Sequence, residues 1–144
     1  MVGEELCHEG VDSRGVIIHR HRECLELKVV DEQECLRSDM ALTAFVLTHL
    51  RADLSLEKDH YVLYEMTEEA IHRGTESCRA ELRHLLAKSE ASATAEELHH
   101  LPLIEGRMEG GSVAELMCRM VKQGSSIKEV AVEMSRRLYD NVPL

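Results

Sequence analysis

The sequence is poor in aromatic residues and proline, and it has no long apolar run. It has one Phe, three Tyr, no Trp and two Pro among 144 residues, so its core has to be built from aliphatic side chains and Met. No apolar stretch approaches the roughly 20 residues that a membrane-spanning helix needs, and no N-terminal signal pattern is present. These absences predict a soluble, mainly helical chain that does not contact a membrane.

The sequence also lacks paired cysteines. Its five Cys are an odd number and follow neither a disulfide nor a metal-site spacing. Free thiols persist in reducing compartments, which predicts a cytoplasmic protein. The cysteines are Cys7, Cys24, Cys35, Cys78 and Cys118.

Basic residues are in the minority, with 17 Lys and Arg against 27 Asp and Glu, for a net charge of −10. A surface of this sign does not displace the counterions of nucleic acid and is repelled by anionic lipid. It is compatible with a protein partner or with a second copy of the chain.

The longest amphipathic stretch, Leu54–Lys88, is predicted to be the spine of the chain. At the helical period of about 100° per residue, its apolar and acidic side chains fall on opposite sides. Gly74 predicts a kink between two helices, and Ser55 is the expected N-cap. A strand over His60–Met66 is the alternative, because Tyr and Val favour strands. The apolar stripe is Leu63, Met66, Ala70, Ile71 and Cys78, and the acidic stripe is Glu65, Glu69, His72 and Glu76.

Before this stretch the sequence predicts a loose lead-in, a hairpin and two helices. Met1–Arg14 is the lead-in, and Gly15–Arg20 and Cys24–Val30 alternate as two strands of a hairpin. A short helix follows over Asp31–Leu36. The next helix, Met40–Arg51, is apolar almost all round, so we expect it to be the most buried element, with Phe45 and Leu47 in the core.

After the spine, small and polar residues predict two linkers. Lys88–Thr94 is the first, and a brief helix opened by the capping box at Thr94 has to stop by Leu101, ahead of Pro102. Glu105–Gly111, with three glycines, is the second linker.

The C-terminal third predicts a helical hairpin over residues 112–139. Capping boxes begin at Ser112 and Ser126, and Gly124 ends the first helix. Each helix has a regular apolar stripe. The stripes are Val113, Leu116, Met117, Met120 and Val121 in the first helix, and Ile127, Val130, Ala131, Met134 and Leu138 in the second.

Together these elements predict a mainly α fold and a single domain over residues 1–144. The domain is a compact helical bundle with an N-terminal β-hairpin (15–30), a helical core (32–101) and a C-terminal αα-hairpin (112–139). The alternative is an α+β fold, with a small sheet that includes His60–Met66 packed on the central helix.

Two groups of residues have metal-ligating side chains. His19 and His21 share one face of a strand with Cys24 nearby, which is half of a zinc set, and the other pair lacks a standard spacing. The full N-terminal set of possible ligands is Cys7, His8, His19, His21, Cys24 and Cys35. Glu69 and His72 have the Glu-x-x-His spacing of two-metal helical bundles, although they lie opposite the apolar stripe. Zinc or iron binding is therefore an alternative to surface histidines and buried thiols, and the main expectation is that no cofactor binds.

Motifs for catalysis are missing, and one motif resembles a DNA-binding module. There is no nucleophile elbow, phosphate loop or dinucleotide fingerprint, which favours a non-enzymatic protein. Gln123–Ala131 resembles the opening of a helix–turn–helix of regulators and transposases. The resemblance implies a turn glycine at Ser135 and a reading helix over Tyr139–Leu144, and the sequence departs from it at both places.

The sequence thus favours an interaction or regulatory subunit that acts through helical surfaces and self-associates, with a homodimer expected. The alternatives are a metal-binding protein and a truncated helix–turn–helix regulator. The residues predicted to form the interface are Leu116, Met117, Met120, Ile127, Met134 and Leu138.

Overall fold

The computed structural model of the protein describes residues 16–28, 33–52 and 58–144. The described residues are mainly helical with one small antiparallel hairpin, which confirms the predicted fold class. They divide into two compact units, Met1–Glu32 and Gln33–Leu144, and the single domain over 1–144 stays a prediction. The predicted lead-in Met1–Arg14 and the predicted cap Ser55 lie outside the described residues. Within the described ranges, no helix is both long and apolar enough to cross a bilayer.

The described part of the first unit, residues 16–28, is the predicted hairpin, and positions 15, 29 and 30 of the predicted range lie outside the described residues. Strands β1 (Val16–His19) and β2 (Cys24–Leu27) pair antiparallel across a 3₁₀ turn, Arg20–Arg22. Glu23 takes the left-handed conformation at φ 50°, so the chain reverses without the Gly or Asn that usually marks such a turn. The paired residues are Val16 with Leu27, Ile17 with Glu26, Ile18 with Leu25, and His19 with Cys24.

The second unit is entirely helical in its described residues. A 3₁₀ segment, Gly74–Cys78, joins its second and third helices. The helices are α1 (Leu36–Arg51), α2 (His60–Arg73), α3 (Arg79–Ser92), α4 (Ala95–Leu98), α5 (Leu101–Gly110), α6 (Val113–Lys122) and α7 (Ile127–Asp140). The strand alternative for residues 60–66 is therefore wrong, and with it the α+β fold. The kink at Gly74 is confirmed, because the glycine takes φ +70° where α2 ends.

The core of the second unit lies where α1, α3 and α5 pack together. Leu101 and Met108 of α5 are almost completely buried, as is Ala41 of α1. Phe45 packs against this cluster from α1 but is only partly buried. The buried cluster is Ala41, Leu86, Leu101, Ile104 and Met108.

Helix α1 differs from its prediction in its start and in its buried face. It begins at Leu36 and runs through Ser38, because Cys35 is extended and ends the preceding segment. Its buried face consists of small residues, which let α3 and α5 approach closely, while Leu47 is 45% exposed. Helix α1 is therefore buried on one side only, and the prediction that Leu47 lies in the core is wrong. The buried residues of α1 are Ser38, Ala41, Ala44 and Thr48.

Both predicted linkers are wrong, because small residues there pack within helices. Helix α3 continues through the first linker to Ser92, whose hydroxyl donates to the carbonyl of Thr48 at 2.8 Å. Ser89 is completely buried at the same contact. Helix α5 continues through the second linker to Gly110, and Pro102 lies in its first turn, where no amide donor is needed. Gly106 and Gly110 of the predicted linker therefore lie inside α5, and Gly111 caps its end.

Candidate interaction surface

The α6–α7 hairpin has the local caps that its sequence predicts. Ser112 and Glu115 form a reciprocal capping box at the start of α6, and Ser126 and Glu129 form another at the start of α7. Hydrogen bonds from the amide and hydroxyl of Ser126 hold the pKa of Glu129 below its usual range. Gly124 turns the chain between the helices at φ +100°. The predicted hairpin over residues 112–139 is confirmed.

The carboxylate of Glu115 also reaches beyond its own helix. It accepts hydrogen bonds from the Ser112 amide at 2.6 Å and from the Thr75 hydroxyl at 3.0 Å. It lies so close to the backbone that a Cβ on Gly74 would come within 2.5 Å of it. Partial burial raises the pKa of Glu115, but the hydrogen bonds from Ser112 and Thr75 outweigh it and lower the pKa. This residue therefore attaches the start of α6 to the kink after α2.

The far end of the hairpin is attached to the start of α1. Asn141 ends α7 in the left-handed conformation, and its Oδ1 accepts from the Arg37 amide at 2.9 Å. The Leu144 amide donates to Glu34 at 2.9 Å, and Arg137 donates to the Pro143 carbonyl at 3.0 Å. Helix α7 is consequently held at its C-terminal end as well as at its turn with α6.

Glu34 is a buried carboxylate with a complete set of donors. Its side chain has no exposed surface, and it pairs with the guanidinium of Arg107. It also accepts from the Ser38 hydroxyl at 2.8 Å and from the Leu144 amide. Burial raises the pKa of Glu34, but these hydrogen bonds outweigh it and hold the pKa below its usual value. Both oxygens of this buried carboxylate therefore have a hydrogen-bond donor, as a buried charge requires.

Between α6 and α7 the surface forms an open apolar groove of about 320 Å³. Val130 is its buried floor at 4% exposure, whereas Ile127 at its edge is 83% exposed. Lys122 is the charged side chain of the lining. An apolar hollow with one cationic side chain is suited to an amphipathic helix. The groove is lined by Met117, Cys118, Val121, Lys122, Ile127 and Val130.

The six predicted interface residues divide between exposed and half-buried positions. Met117 and Ile127 are exposed and meet at the groove. Leu138 is 61% exposed on α7. Leu116, Met120 and Met134 are half-buried within the hairpin. Cys118 and Lys122 were not predicted for this surface, because the sequence analysis considered only the regular apolar stripes.

A second exposed apolar face lies on α2, where the sequence predicted a stripe that packs inward. None of its described side chains is buried. Met66 and Ala70 are half-buried, while Leu63 and Ile71 of the same stripe are exposed. The uneven exposure shows that α2 directs only part of its apolar side at its own chain. The large apolar side chains it exposes are Tyr61, Val62, Leu63, Tyr64 and Ile71.

Among the described residues, the predicted metal ligands of the hairpin do not form a metal-binding cluster. His19 Nε2 lies 2.8 Å from Glu26 Oε2, and this hydrogen bond lowers the pKa of Glu26. His21 and Cys24 are exposed on the hairpin. In the residues that the structure describes, no three His, Cys, Asp or Glu side chains converge on one point. Cys7 and His8 lie outside those residues, so zinc binding here stays an untested prediction.

The predicted Glu69 and His72 pair lies on the exposed polar side of α2. Glu69 pairs instead with Arg73, one turn further on, at 3.2 Å, and His72 is exposed. The other members of the acidic stripe, Glu65 and Glu76, are exposed as well, as the sequence predicts. Exposed pairs of this kind contribute little to stability.

The segment that resembles a helix–turn–helix has a different geometry. Helix α7 runs without interruption from Ile127 to Asp140, so Ser135 lies inside a helix and not in a turn. After it, residues 141–144 are not helical. The reading helix that the resemblance implies over Tyr139–Leu144 is therefore not formed, in line with the departures that the sequence shows at these positions.

Comparison with known proteins finds one longer relative. The chain is 44% identical, over 138 residues, to an uncharacterized protein of Archaeoglobus fulgidus. The match covers 94% of this chain and 38% of that protein, so the chain spans less than half the length of the relative it matches. No protein-family model matches the chain, and no solved structure does.

Proposed function

We propose that this protein is a non-enzymatic interaction or regulatory subunit that acts through helical surfaces and self-associates as a homodimer. The observation that carries the proposal is the groove of the α6–α7 hairpin, with Met117 and Ile127 exposed at its edge. Exposed apolar side chains that are contiguous and border a groove are typical of protein contact sites. The hairpin is also fixed at both ends, by Glu115 and by Glu34, which supports a preformed surface.

The proposal includes a cytoplasmic location and a protein partner. Cys24, Cys35, Cys78 and Cys118 are free thiols in the described part of the chain, which suits a reducing compartment. The net charge of −10 favours a protein partner over nucleic acid or anionic lipid. The longer relative is itself an uncharacterized protein, so the proposal rests on this chain alone.

The test is the mass of the protein in solution, with variants on and off the groove. Ile127→Glu and Leu138→Glu put a charge on the exposed apolar side of α7, and neither of the replaced side chains is buried. Val132→Glu is the matched control, because Val132 is 60% exposed on a different side of the same helix. We expect a wild-type dimer by light scattering, monomers for the first two variants, and a dimer for the control.

Circular dichroism checks that each variant keeps its helices. Loss of the dimer with helicity retained supports the proposal, because the charge then acts on association and not on folding. A wild type that stays monomeric at high micromolar concentration contradicts the homodimer. Dissociation by Val132→Glu as well would show that the effect is not specific to the groove side.

A further inference from the structure

Helix α2 is an amphipathic helix whose apolar side is only partly used within its own chain. Leu63 and Ile71 lie on adjoining rows of one side, and Ile71 is 69% exposed. The main contact of α2 among the described residues is with the 3₁₀ segment that follows it. Apolar side chains that recur about two turns apart on one side of an exposed helix, here Leu63 and Ile71, are typical of a helix that binds in a groove.

The groove between α6 and α7 has complementary properties. Its lining is apolar apart from Lys122, and its two walls are helices α6 and α7 of the hairpin. The anchors Leu63 and Ile71 are separated by about 12 Å along α2, at a rise of about 1.5 Å per residue. Val121 on α6 and Ile127 on α7 both line the groove, so a helix that lies in it meets side chains of both walls.

Charge provides the argument for a second copy of this chain as the occupant. Glu68 borders the exposed stripe of α2, and Glu65 lies further round the same helix. Among the described residues, no ion pair involves Glu65, Glu68 or Lys122. Two copies that each have a net charge of −10 repel one another. A contact that brings an acidic helix to a cationic groove edge offsets part of that repulsion.

We infer that α2 of one copy occupies the α6–α7 groove of a second copy, and that the contact is reciprocal. The inference rests on the proposed function, because it names the partner of the same groove. In a two-fold dimer each chain gives one helix and receives one, so the buried area is twice that of a single contact. The reciprocal arrangement lets two short contacts together approach the size of a stable interface, about 1,600 Å².

Cys118 allows a direct test, because it is an exposed thiol in the groove lining. The background is the full chain with Cys7, Cys24 and Cys78 replaced by Ser, and with Cys35 kept because it is completely buried. Into it we introduce Ile71→Cys on the exposed stripe of α2. Glu69→Cys is the matched control on the opposite side of the same helix. Diamide then oxidises thiols that come within disulfide reach, about 4.4–6.8 Å between Cα atoms.

The expected product is a covalent dimer for Ile71→Cys that dithiothreitol reverses. Peptide mass spectrometry should find the new thiol joined to Cys118, and the yield should exceed that of Glu69→Cys at least several-fold. Equal yields for the two variants, or a dimer joined through two copies of Cys118, overturn the inference. A monomer in which the new thiol is joined to Cys118 of its own chain also overturns it.

A mixing experiment separates this inference from the proposed function. Ile71→Glu blocks the helix and Ile127→Glu blocks the groove, so each variant alone should be monomeric. Mixed together, they retain one intact contact, and light scattering should detect dimers that neither variant forms. If groove variants dissociate the wild-type dimer but Ile71→Glu leaves it unchanged, the proposed function stands and α2 is not the occupant. If the wild type is monomeric, both the proposed homodimer and the contact of α2 with the groove are contradicted.

Discussion

The carboxylate of Glu115 accepts a hydrogen bond from the hydroxyl of Thr75, 40 residues earlier in the chain, at 3.0 Å. The same carboxylate completes the capping box of α6. One side chain thus accepts hydrogen bonds at both a helix start and a helix kink, which fixes where the α6–α7 hairpin leaves the core. The close approach needs glycine at the kink, because a Cβ on Gly74 would overlap the carboxylate.

We expect Gly74→Ala to lower the free energy of unfolding by about 1–3 kcal/mol. The native φ of +70° disfavours any side chain, and the new methyl group would displace Glu115. Gly106→Ala is the control, since Gly106 lies inside α5 with no atom within 4 Å of an added Cβ. That substitution should stabilise the protein by about 0.5–1 kcal/mol. Urea denaturation measures both, and equal effects would contradict the role of the kink.

Truncation to Ala should lower the free energy of unfolding much more at Leu101 than at Leu47. Leu101 is 1% exposed at the centre of the buried cluster, so Leu101→Ala should cost about 2–5 kcal/mol. Leu47 is on the outer side of α1, and the same substitution there should cost about 1 kcal/mol or less. Shifts of the urea midpoint provide the comparison. A large loss for Leu47→Ala would show that something covers the outer side of α1 in solution.

Acid should unfold the protein partly through Glu34. Its pKa is lower in the folded protein than its ordinary value of 4.5, so its ionised form stabilises the fold above that pH. This contribution is lost as the pH falls below 4.5 and through the folded pKa. Glu34→Gln should cost about 1–3 kcal/mol at neutral pH and flatten the acid side of the stability curve.

Glu105→Gln is the control for this experiment, because Glu105 is exposed on the same helix as Arg107. Denaturation is followed in urea from neutral pH down to about pH 3. If Glu34→Gln and wild type lose stability in parallel over that range, the buried carboxylate is not the group that titrates.

The polar side of α2 should be dispensable for folding. Glu69→Ala with His72→Ala removes an exposed ion pair and an exposed imidazole, so the free energy of unfolding should change by less than about 0.5 kcal/mol. Zinc analysis by plasma mass spectrometry accompanies the denaturation curves. A larger loss, or a loss that occurs only without chelator, would indicate that these residues bind a metal.

The helices of the second unit were more predictable than their boundaries. Both capping boxes of the hairpin and the one at Thr94 were found, because they depend on side chains only three residues apart. The continuation of α3 to Ser92 was missed, because its small polar residues resemble a linker in sequence. Only the fold brings Ser92 to the Thr48 carbonyl, to which its hydroxyl donates a hydrogen bond. Glycines within α5 misled the prediction for the same reason, since propensity is a weak guide where packing decides.

The candidate surface was predictable in part. The periodicity of α6 and α7 identified the apolar stripes, including Met117 and Ile127, but it could not separate these exposed side chains from the half-buried Met120 and Met134. The exposed face of α2 gave the same kind of pattern as a core helix. The folded chain distinguishes it, because Leu63 and Ile71 are exposed while Met66 and Ala70 of the same stripe are half-buried.

The sequence by itself determined where α4, α6 and α7 begin, where α2 ends and which sides of α6 and α7 are apolar, because caps, glycines and periodicity act within one or two turns. The tertiary structure decided which apolar sides are buried. In α1 the small side chains face the core and Leu47 faces outward, since close helix packing selects small residues. The tertiary structure also decided the contact between Thr75 and Glu115, which are 40 residues apart, because only the folded chain brings the two residues together.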